Sequence, residues 1–180
     1  MKKIFKAVCL FLVFPCLLGI GANLQAGVIT VSPSAFKPMN QATATDTLSS
    51  WFATEYSLGF SGTSSYDLSF VAPLNLPNGV TIKKVTIYVW HAITGNSQYL
   101  TCELLAMNLP PRIPKIENVI ASANTNNLPA TGGYQKIVLP ATQLKYRIVN
   151  NLTYSYCLRV KFPAGATGSF DGLYGVVIQY

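Results

Sequence analysis

The sequence predicts an all-β protein, specifically a single antiparallel β-sandwich of jelly-roll type with about eight strands. Several segments of strand length alternate apolar and polar residues, and turns rich in Gly, Pro and Asn separate them. No segment after residue 26 keeps a 3.6-residue apolar period over the length of a helix. Half of the 180 residues are hydrophobic and 11% are charged, which excludes a disordered chain and a coiled coil, and the length suits one domain.

Residues 1–26 have the three-part layout of a secretory signal peptide. A basic start with three lysines precedes a short apolar run, and Ala26 supplies a small residue for cleavage, with Ala22 as an alternative. The run contains Pro15 and is shorter than the roughly 20 apolar residues that a transmembrane helix needs. We expect an exported protein, periplasmic or extracellular, whose β-sandwich domain covers residues 27–180 and has no transmembrane segment.

The basic charge of the chain comes partly from this leader. Thirteen basic and six acidic residues give +7, and removal of the three leader lysines leaves ten against six, or +4. The remaining basic residues form short groups, such as Lys83 and Lys84 or Lys145 and Arg147, so no nucleic-acid partner is predicted. Exposed lysines that prevent edge-to-edge pairing explain them, and attraction to anionic polymers or membrane surfaces is the alternative.

The first part of the domain has the weakest strand pattern. Residues 27–31 are a short strand candidate, and residues 32–65, rich in Ser, Thr, Ala and Gly, are interpreted as a loop with short strands. Residues 66–71 are predicted as a strand that ends at Pro73, because proline cannot donate a ladder hydrogen bond. The Asn-Gly pair at 78–79 then forms a turn, since both residue types tolerate positive φ.

The strongest strand signal covers residues 80–91. Its Val and Ile residues alternate with Thr86, Tyr88 and Trp90, all of them good strand formers. Five further segments alternate similarly and are predicted as strands: residues 98–107, 117–123, 134–139, 152–162 and 172–180. The intervening segments include a turn at 95–96, a proline-rich link at 109–114, a polar loop at 124–133 and a helical turn at 141–146.

The final strand has large side chains at every second position. Tyr174, Val176, Ile178 and Tyr180 are in phase, so we expect all four to face one layer of the sandwich. We also expect this strand to pair beside the N-terminal strand or beside residues 152–162, and Ile178 to be buried.

Two stretches of the chain resemble a recurrent pattern. Residues 72–79 (APLNLPNG) match an Ala-Pro-x-x-Leu-Pro-x-Gly corner before the central strands, and residues 174–180 (YGVVIQY) match a terminal Tyr-Gly-Val-x-Ile-x-Tyr strand. Over about residues 66–180 the chain therefore resembles uncharacterised exported bacterial β-sandwich proteins. The resemblance implies the fold and no activity, because no catalytic residue belongs to the pattern.

Cys102 and Cys157 remain after the leader cysteines are removed, and a pair of cysteines in an exported protein predicts a disulfide. Closing that loop would stabilise the fold by roughly 4 kcal/mol in the chain-entropy model. One observation opposes the bridge: Cys102 alternates with leucines on an apolar face, whereas Cys157 alternates with Ser155 and Arg159 on a polar one. Two partly buried thiols are therefore the alternative.

The sequence contains no recognisable catalytic or metal-binding set. His91, the single histidine, stands at the end of a strand without a G-x-S-x-G or S-x-x-K motif, and such a residue is more often structural. The six acidic residues are scattered, and the cysteines and histidine lack the spacing of zinc ligands. We predict no catalytic residue, no metal and no cofactor.

Tyr88 and Trp90 are the candidate ligand-binding residues. They share one face of their strand and offer rings on which sugars can stack, with packing across strands as the alternative. The sequence thus predicts an exported, non-catalytic structural or binding module, and a glycan or envelope polymer is the candidate partner. The alternatives are a carbohydrate- or envelope-polymer-binding sandwich, a small secreted hydrolase with two carboxylates within about 10 Å of each other, and a pilus-type or outer-membrane subunit.

Overall fold

The computed structural model describes residues 26–39, 49–53, 57–62, 67–91, 99–109, 117–129, 131–164 and 171–180. Within these ranges eleven strands form two antiparallel sheets, which confirms the predicted all-β sandwich. The strands are β1 (Val28–Val31), β2 (Lys37–Pro38), β3 (Ser49–Ala53), β4 (Leu58–Gly62), β5 (Leu68–Leu74), β6 (Lys84–His91), β7 (Thr101–Asn108), β8 (Glu117–Asn124), β9 (Gly133–Pro140), β10 (Tyr154–Phe162) and β11 (Gly172–Gln179). Short 3-10 helices lie at Pro33–Ala35, Thr125–Asn127 and Ala141–Gln143, the last within the predicted helical turn.

The predicted signal peptide lies outside the described residues, apart from Ala26, as does the predicted turn at 95–96. Over the ranges that the structure describes, no helix has the length and apolar character needed to cross a bilayer.

The two sheets have a jelly-roll arrangement. The six-stranded sheet has the order β3-β4-β11-β6-β9, and β1 also pairs with β11. The five-stranded sheet has the order β2-β5-β10-β7-β8. From β4 onward, every connection except the one between β7 and β8 passes from one sheet to the other, so the core is enclosed between strands that are distant in sequence.

The core lies between the sheets and follows the period-two alternation of the longest strands. Its central side chains come from β6 and β10: Val85, Ile87, Val89, Tyr156, Leu158, Val160 and Phe162. Phe70 of β5 meets Phe162 edge to face, with ring centroids 6.1 Å apart. Burying one such aliphatic or aromatic side chain contributes about 1.5–3 kcal/mol, so this layer supplies most of the driving force for folding.

Strand β5 continues past the point where proline was predicted to end it. Pro73 lies within the strand and is paired in register with Cys157 of β10. On the other edge of β5, the neighbouring strand β2 pairs only with Val71 and Phe70. Among the described residues, no strand is therefore paired with Pro73 on the β2 side of β5, and a proline is tolerated at such an edge position.

The segment before β6 is not part of the regular sheet, although residues 80–91 were predicted as one strand. Residues 79–83 instead run antiparallel beside residues 147–149, with Ile82 N donating to Arg147 O at 2.8 Å and Val149 N donating to Val80 O at 2.9 Å. The Asn-Gly turn before this segment is confirmed, with Gly79 at φ 78°.

Strand β11 contains a bulge that changes the side-chain phase predicted for it. Its register against β6 shifts between Leu173 and Gly175, and Gly175 has φ 152°, a backbone conformation that favours glycine. Leu173 is buried before the bulge, and Val176 and Ile178 are buried after it. The expectation that Tyr174 faces the core together with Val176 and Ile178 is therefore wrong, because the extra residue turns Tyr174 to the outer face.

The last strand is held on both edges. It pairs with β6 on one side and with β1 and β4 on the other, which confirms the predicted pairing with the N-terminal strand and the burial of Ile178. Gly27 and Tyr180 exchange two backbone hydrogen bonds at 2.8 and 3.0 Å beyond the end of this ladder. An open groove beside β11, which a pilus-type subunit would offer to a donor strand, is not present along the described part of this strand.

The predicted disulfide between Cys102 and Cys157 is absent from the structure. The two cysteines lie on adjacent strands, but the register pairs Cys102 with Val160 and Cys157 with Leu105. Cys102 points into the core and is 2% exposed, whereas Cys157 lies on the outer face, where its Sγ is 3.7 Å from the Sδ of Met107. A bridge is geometrically excluded because the two side chains leave the sheet in opposite directions.

Candidate functional site: an aromatic face on the six-stranded sheet

The exposed side of the six-stranded sheet carries a cluster of aromatic rings. Tyr88 and Trp90 lie on the outer face of β6, and each keeps about 40% of its surface exposed (43% and 40%). Because Val85, Ile87 and Val89 of the same strand are buried, the alternation predicted for β6 is confirmed.

Two further tyrosines complete the cluster. Tyr134 is the registered partner of Trp90 on β9, and the two rings meet edge to face with centroids 4.9 Å apart. The ring of Tyr134 also meets that of Tyr174 on β11, with centroids 4.7 Å apart. Tyr88, Trp90, Tyr134 and Tyr174 are called the aromatic face below.

Small residues leave the aromatic face open. On the β11 side, Gly172 is the registered partner of Trp90, and Gly175 is the partner of Tyr88. Neither glycine has a side chain to cover the neighbouring ring. Tyr134, on the other side of Trp90, is the most exposed member of the cluster at 71%.

Two hydroxyl groups of the aromatic face, those of Tyr134 and Tyr174, are hydrogen-bonded to each other. A side-chain hydrogen bond with Tyr134, followed by partial burial, raises the pKa of Tyr174 above its ordinary value of 10.0. The phenol of Tyr174 is therefore neutral at physiological pH and offers a donor as well as an acceptor. Flat apolar rings bordered by phenol hydroxyl groups suit a ligand with both C–H faces and hydroxyl groups, which is the chemistry of a sugar.

His91 lies at the end of β6, where its contacts are those of a structural residue rather than of a catalytic one. Its Nδ1 is 2.9 Å from Oδ1 of Asp171, and the other carboxylate oxygen of Asp171 accepts a hydrogen bond from the hydroxyl of Thr125. Thr125 is fully buried and its hydroxyl also accepts from the Leu100 amide at 3.0 Å. The carboxylate separates the hydroxyl from the histidine, so this arrangement lacks the hydroxyl–imidazole contact of a nucleophilic triad.

A pair of carboxylates, Glu103 and Glu117, lies on the outer face of the other sheet, and a hydrolase would use such a pair as its acid and base. The Arg159 guanidinium joins them, with Nε 2.7 Å from Glu103 and Nη1 2.6 Å from Glu117. Burial tends to raise the pKa of Glu103, but hydrogen bonds from Arg159 and Lys161 outweigh it, so this pKa lies below its ordinary value of 4.5. A glycosidase requires one carboxyl group that stays protonated, and this environment keeps Glu103 ionised instead.

Among the described residues there are also two grooves, and neither is lined by a cluster of exposed rings like the aromatic face. One, of about 520 Å³ on the outer face of the five-stranded sheet, is lined by Met39, Met107 and Cys157 among others. The second, of about 460 Å³, includes Tyr154 and Tyr156, but Tyr156 is only 4% exposed. In the part of the chain that the structure describes, no group of three or more His, Cys, Asp or Glu side chains is arranged to hold a metal ion.

No known protein family and no curated protein sequence matches this chain. Solved structures are similar in fold. The CBM22-2 xylan-binding domain of Xyn10C from Paenibacillus barcinonensis has a TM-score of 0.50 at 11% identity, over 84% of this chain and 96% of that one. The K1 cleaved adhesin domain of Lys-gingipain from Porphyromonas gingivalis W83 has a TM-score of 0.49 at 14% identity, over 84% and 97%.

The CBM22-1–GH10 modules of endo-1,4-β-D-xylanase 10B from Clostridium thermocellum have a TM-score of 0.48 at 15% identity. The alignment covers 86% of this chain but 28% of that one, so the chain spans less than a third of that protein. At such identities the similarity concerns the fold alone, and the Paenibacillus domain confirms the β-sandwich class.

Tyr88 and Trp90 were predicted as ligand-binding residues, and the structure adds Tyr134 and Tyr174 to the same surface. The signal for Tyr134 was present in the sequence, since it begins a predicted strand on which polar and apolar residues alternate. Tyr174 was assigned to the core because a regular strand places it in phase with Val176. Only the bulge at Gly175 reverses that assignment.

Proposed function

We propose that this chain is an exported, non-catalytic glycan-binding module and that it binds carbohydrate on the aromatic face. The observation that carries the proposal is the contact of three rings from three strands, Trp90, Tyr134 and Tyr174, on a surface left open to solvent. Rings anchored on strands of a rigid sheet lose little conformational entropy on binding, which makes them effective contact residues.

The fold supports the same class of function. A jelly-roll sandwich presents the outer face of a sheet as a broad binding surface, and the similar Paenibacillus domain is described as xylan-binding. Xylan is therefore the first polysaccharide to test, although the fold does not define the ligand. A hydrolase is less well supported, because Glu103 is held ionised and Thr125 is buried without a contact to His91.

The test is affinity electrophoresis of the purified domain in gels that contain soluble polysaccharides, followed by titration calorimetry on any that retard it. The panel begins with xylan, mixed-linkage β-glucan and solubilised peptidoglycan. Trp90→Ala and Tyr134→Ala should each weaken binding by about tenfold or more, because truncating a central aromatic contact typically costs above 1 kcal/mol. Tyr134→Phe keeps the ring and separates stacking from hydrogen bonding.

Tyr99→Ala is the matched control, because it removes an exposed tyrosine that precedes β7 in the other sheet. It should leave the affinity unchanged. Equal losses for Trp90→Ala and Tyr99→Ala, or binding that survives the combined removal of Trp90 and Tyr134, would reject the aromatic face as the binding site. Absence of binding to every member of the panel would reject the glycan-binding function itself.

A further inference from the structure

A second exposed surface lies where β6 begins, at the end of the strand that is remote from Trp90. It is formed where residues 79–83 run beside residues 147–149, the irregular pairing described above, and by the residues on either side of that pairing. We call it the basic strip, and it contains four cations and three apolar side chains: Lys83, Lys84, Lys145, Arg147, Tyr146, Ile148 and Leu152. Backbone hydrogen bonds fix the segment in place, including Lys83 N to Gln179 O at 2.8 Å and Lys145 N to Ile120 O at 2.9 Å.

The cations of the basic strip are not neutralised by the described carboxylates. Among those, Glu103, Glu117 and Asp171 form ion pairs with Arg159, Lys161 and His91, all outside the strip. The fourth, Asp67, accepts a hydrogen bond from the Ala164 amide at 2.8 Å. A group of like charges without counter-charges produces a positive potential that attracts anions.

Large apolar side chains are interspersed with these charges. Tyr146 is 60% exposed, Ile148 is 64% exposed and Leu152 is 88% exposed, and all three lie in the connection between β9 and β10. Soluble domains seldom expose several such residues in one short segment without a partner. Aliphatic and tyrosine side chains beside lysine and arginine are the combination found where proteins rest on the interface of a lipid bilayer.

We infer that the basic strip binds the surface of an anionic lipid bilayer. The cations would lie at the phosphate groups of the lipid, and Ile148 and Leu152 would enter the boundary between headgroups and acyl chains. A soluble polyanion satisfies the cations but offers nothing to these aliphatic residues. A second copy of the chain would bring like charges together, which is unfavourable. This inference uses none of the residues of the aromatic face, so the two proposals are tested separately.

The experiment measures partitioning of the folded domain onto phosphatidylcholine vesicles with and without phosphatidylglycerol, by co-sedimentation at about 0.15 M salt, where charges more than about 8 Å from the membrane are largely screened. Each basic residue near an anionic membrane contributes about 1 kcal/mol, or roughly fivefold. Lys83→Gln combined with Lys145→Gln should therefore lower partitioning about 25-fold. The matched control is Lys37→Gln combined with Lys136→Gln, which has the same net charge but alters surfaces away from the strip, and it should change partitioning by less than about twofold.

A further variant separates lipid from soluble polymer. Ile148→Ser combined with Leu152→Ser keeps every charge, and it should lower vesicle partitioning severalfold while binding to dextran sulfate stays unchanged. Equal losses in the two lysine pairs would overturn the inference in favour of non-specific attraction by net charge. Vesicle partitioning that is insensitive to the serine variant would overturn it in favour of a soluble polyanion. All these positions are exposed or half-buried, and unchanged thermal melts verify that the variants are folded.

Discussion

Replacing Ile178 by alanine tests the packing of the central strand of the six-stranded sheet. Ile178 is 0% exposed and lies between Ile29 of β1 and Val85 of β6 in the register of the sheet. The substitution removes three buried carbon atoms, which at about 0.8 kcal/mol each gives about 2.4 kcal/mol of lost transfer free energy. A residual cavity adds to this, because strands on both edges limit collapse, so we expect a total loss of about 2–5 kcal/mol.

The assay is urea unfolding followed by intrinsic fluorescence, with the change in midpoint converted at constant slope. Ile148→Ala is the matched control, because it deletes the same atoms from a side chain that is 64% exposed, and it should cost less than about 0.5 kcal/mol. If Ile178→Ala loses less than about 1 kcal/mol, or no more than Ile148→Ala, the inference that β11 is packed on both edges is refuted. An altered slope would indicate a changed unfolded or native state instead.

Three further predictions concern single groups. Gly27→Ala should lower the free energy of unfolding, because an added Cβ would overlap the ring of Tyr180, and Tyr180→Ala in the same chain should recover most of the loss in a double-mutant cycle. The free energy of unfolding should fall as the pH drops below about 4.5, because the lowered pKa of Glu103 stabilises the fold only while this carboxylate is ionised. Glu103→Gln should therefore make the free energy of unfolding less dependent on pH in this range. Burial raises the pKa of Cys102 to about 12, so iodoacetamide should label Cys157 but not Cys102 in the folded protein. After unfolding, both cysteines should be labelled even when no reductant is added, because they form no disulfide, and mass mapping of the peptides would show this.

The parts of the fold that follow from alternation were predictable from the sequence. In β6 and β10 the pattern of side chains fixes which face is buried, and the exposure of Tyr88 and Trp90 follows directly. The opposite faces of Cys102 and Cys157 were also visible in the alternation. That observation outweighs the general expectation of a disulfide in an exported protein, because register is a geometric constraint and cysteine count is only a compositional one.

The rest depends on contacts between distant segments. A bulge changes the phase of a strand by one residue, and no local pattern around Tyr174 distinguishes Gly175 at a bulge from a glycine in a regular strand. Likewise, Pro73 is tolerated within β5 because the neighbouring strand β2 does not extend to its position, and the order of strands in the sheet cannot be predicted from the local sequence. The aromatic face was therefore only partly predictable: alternation indicates the outward positions of Tyr88, Trp90 and Tyr134, whereas the bulge in β11 places Tyr174 beside them.

The position of β11 has a consequence for the order of folding. This strand is the last in the described chain, yet it joins β6 to both β1 and β4 in the middle of the six-stranded sheet. The sheet is incomplete until residues 172–179 have been synthesised, and the pairing of Ile29 with Ile178 joins residues at opposite ends of the domain. Contacts over such sequence distances make folding slow. We therefore expect a nascent chain of this design to stay without its complete six-stranded sheet until its last strand has been made, so a chain truncated before residue 172 should fail to fold.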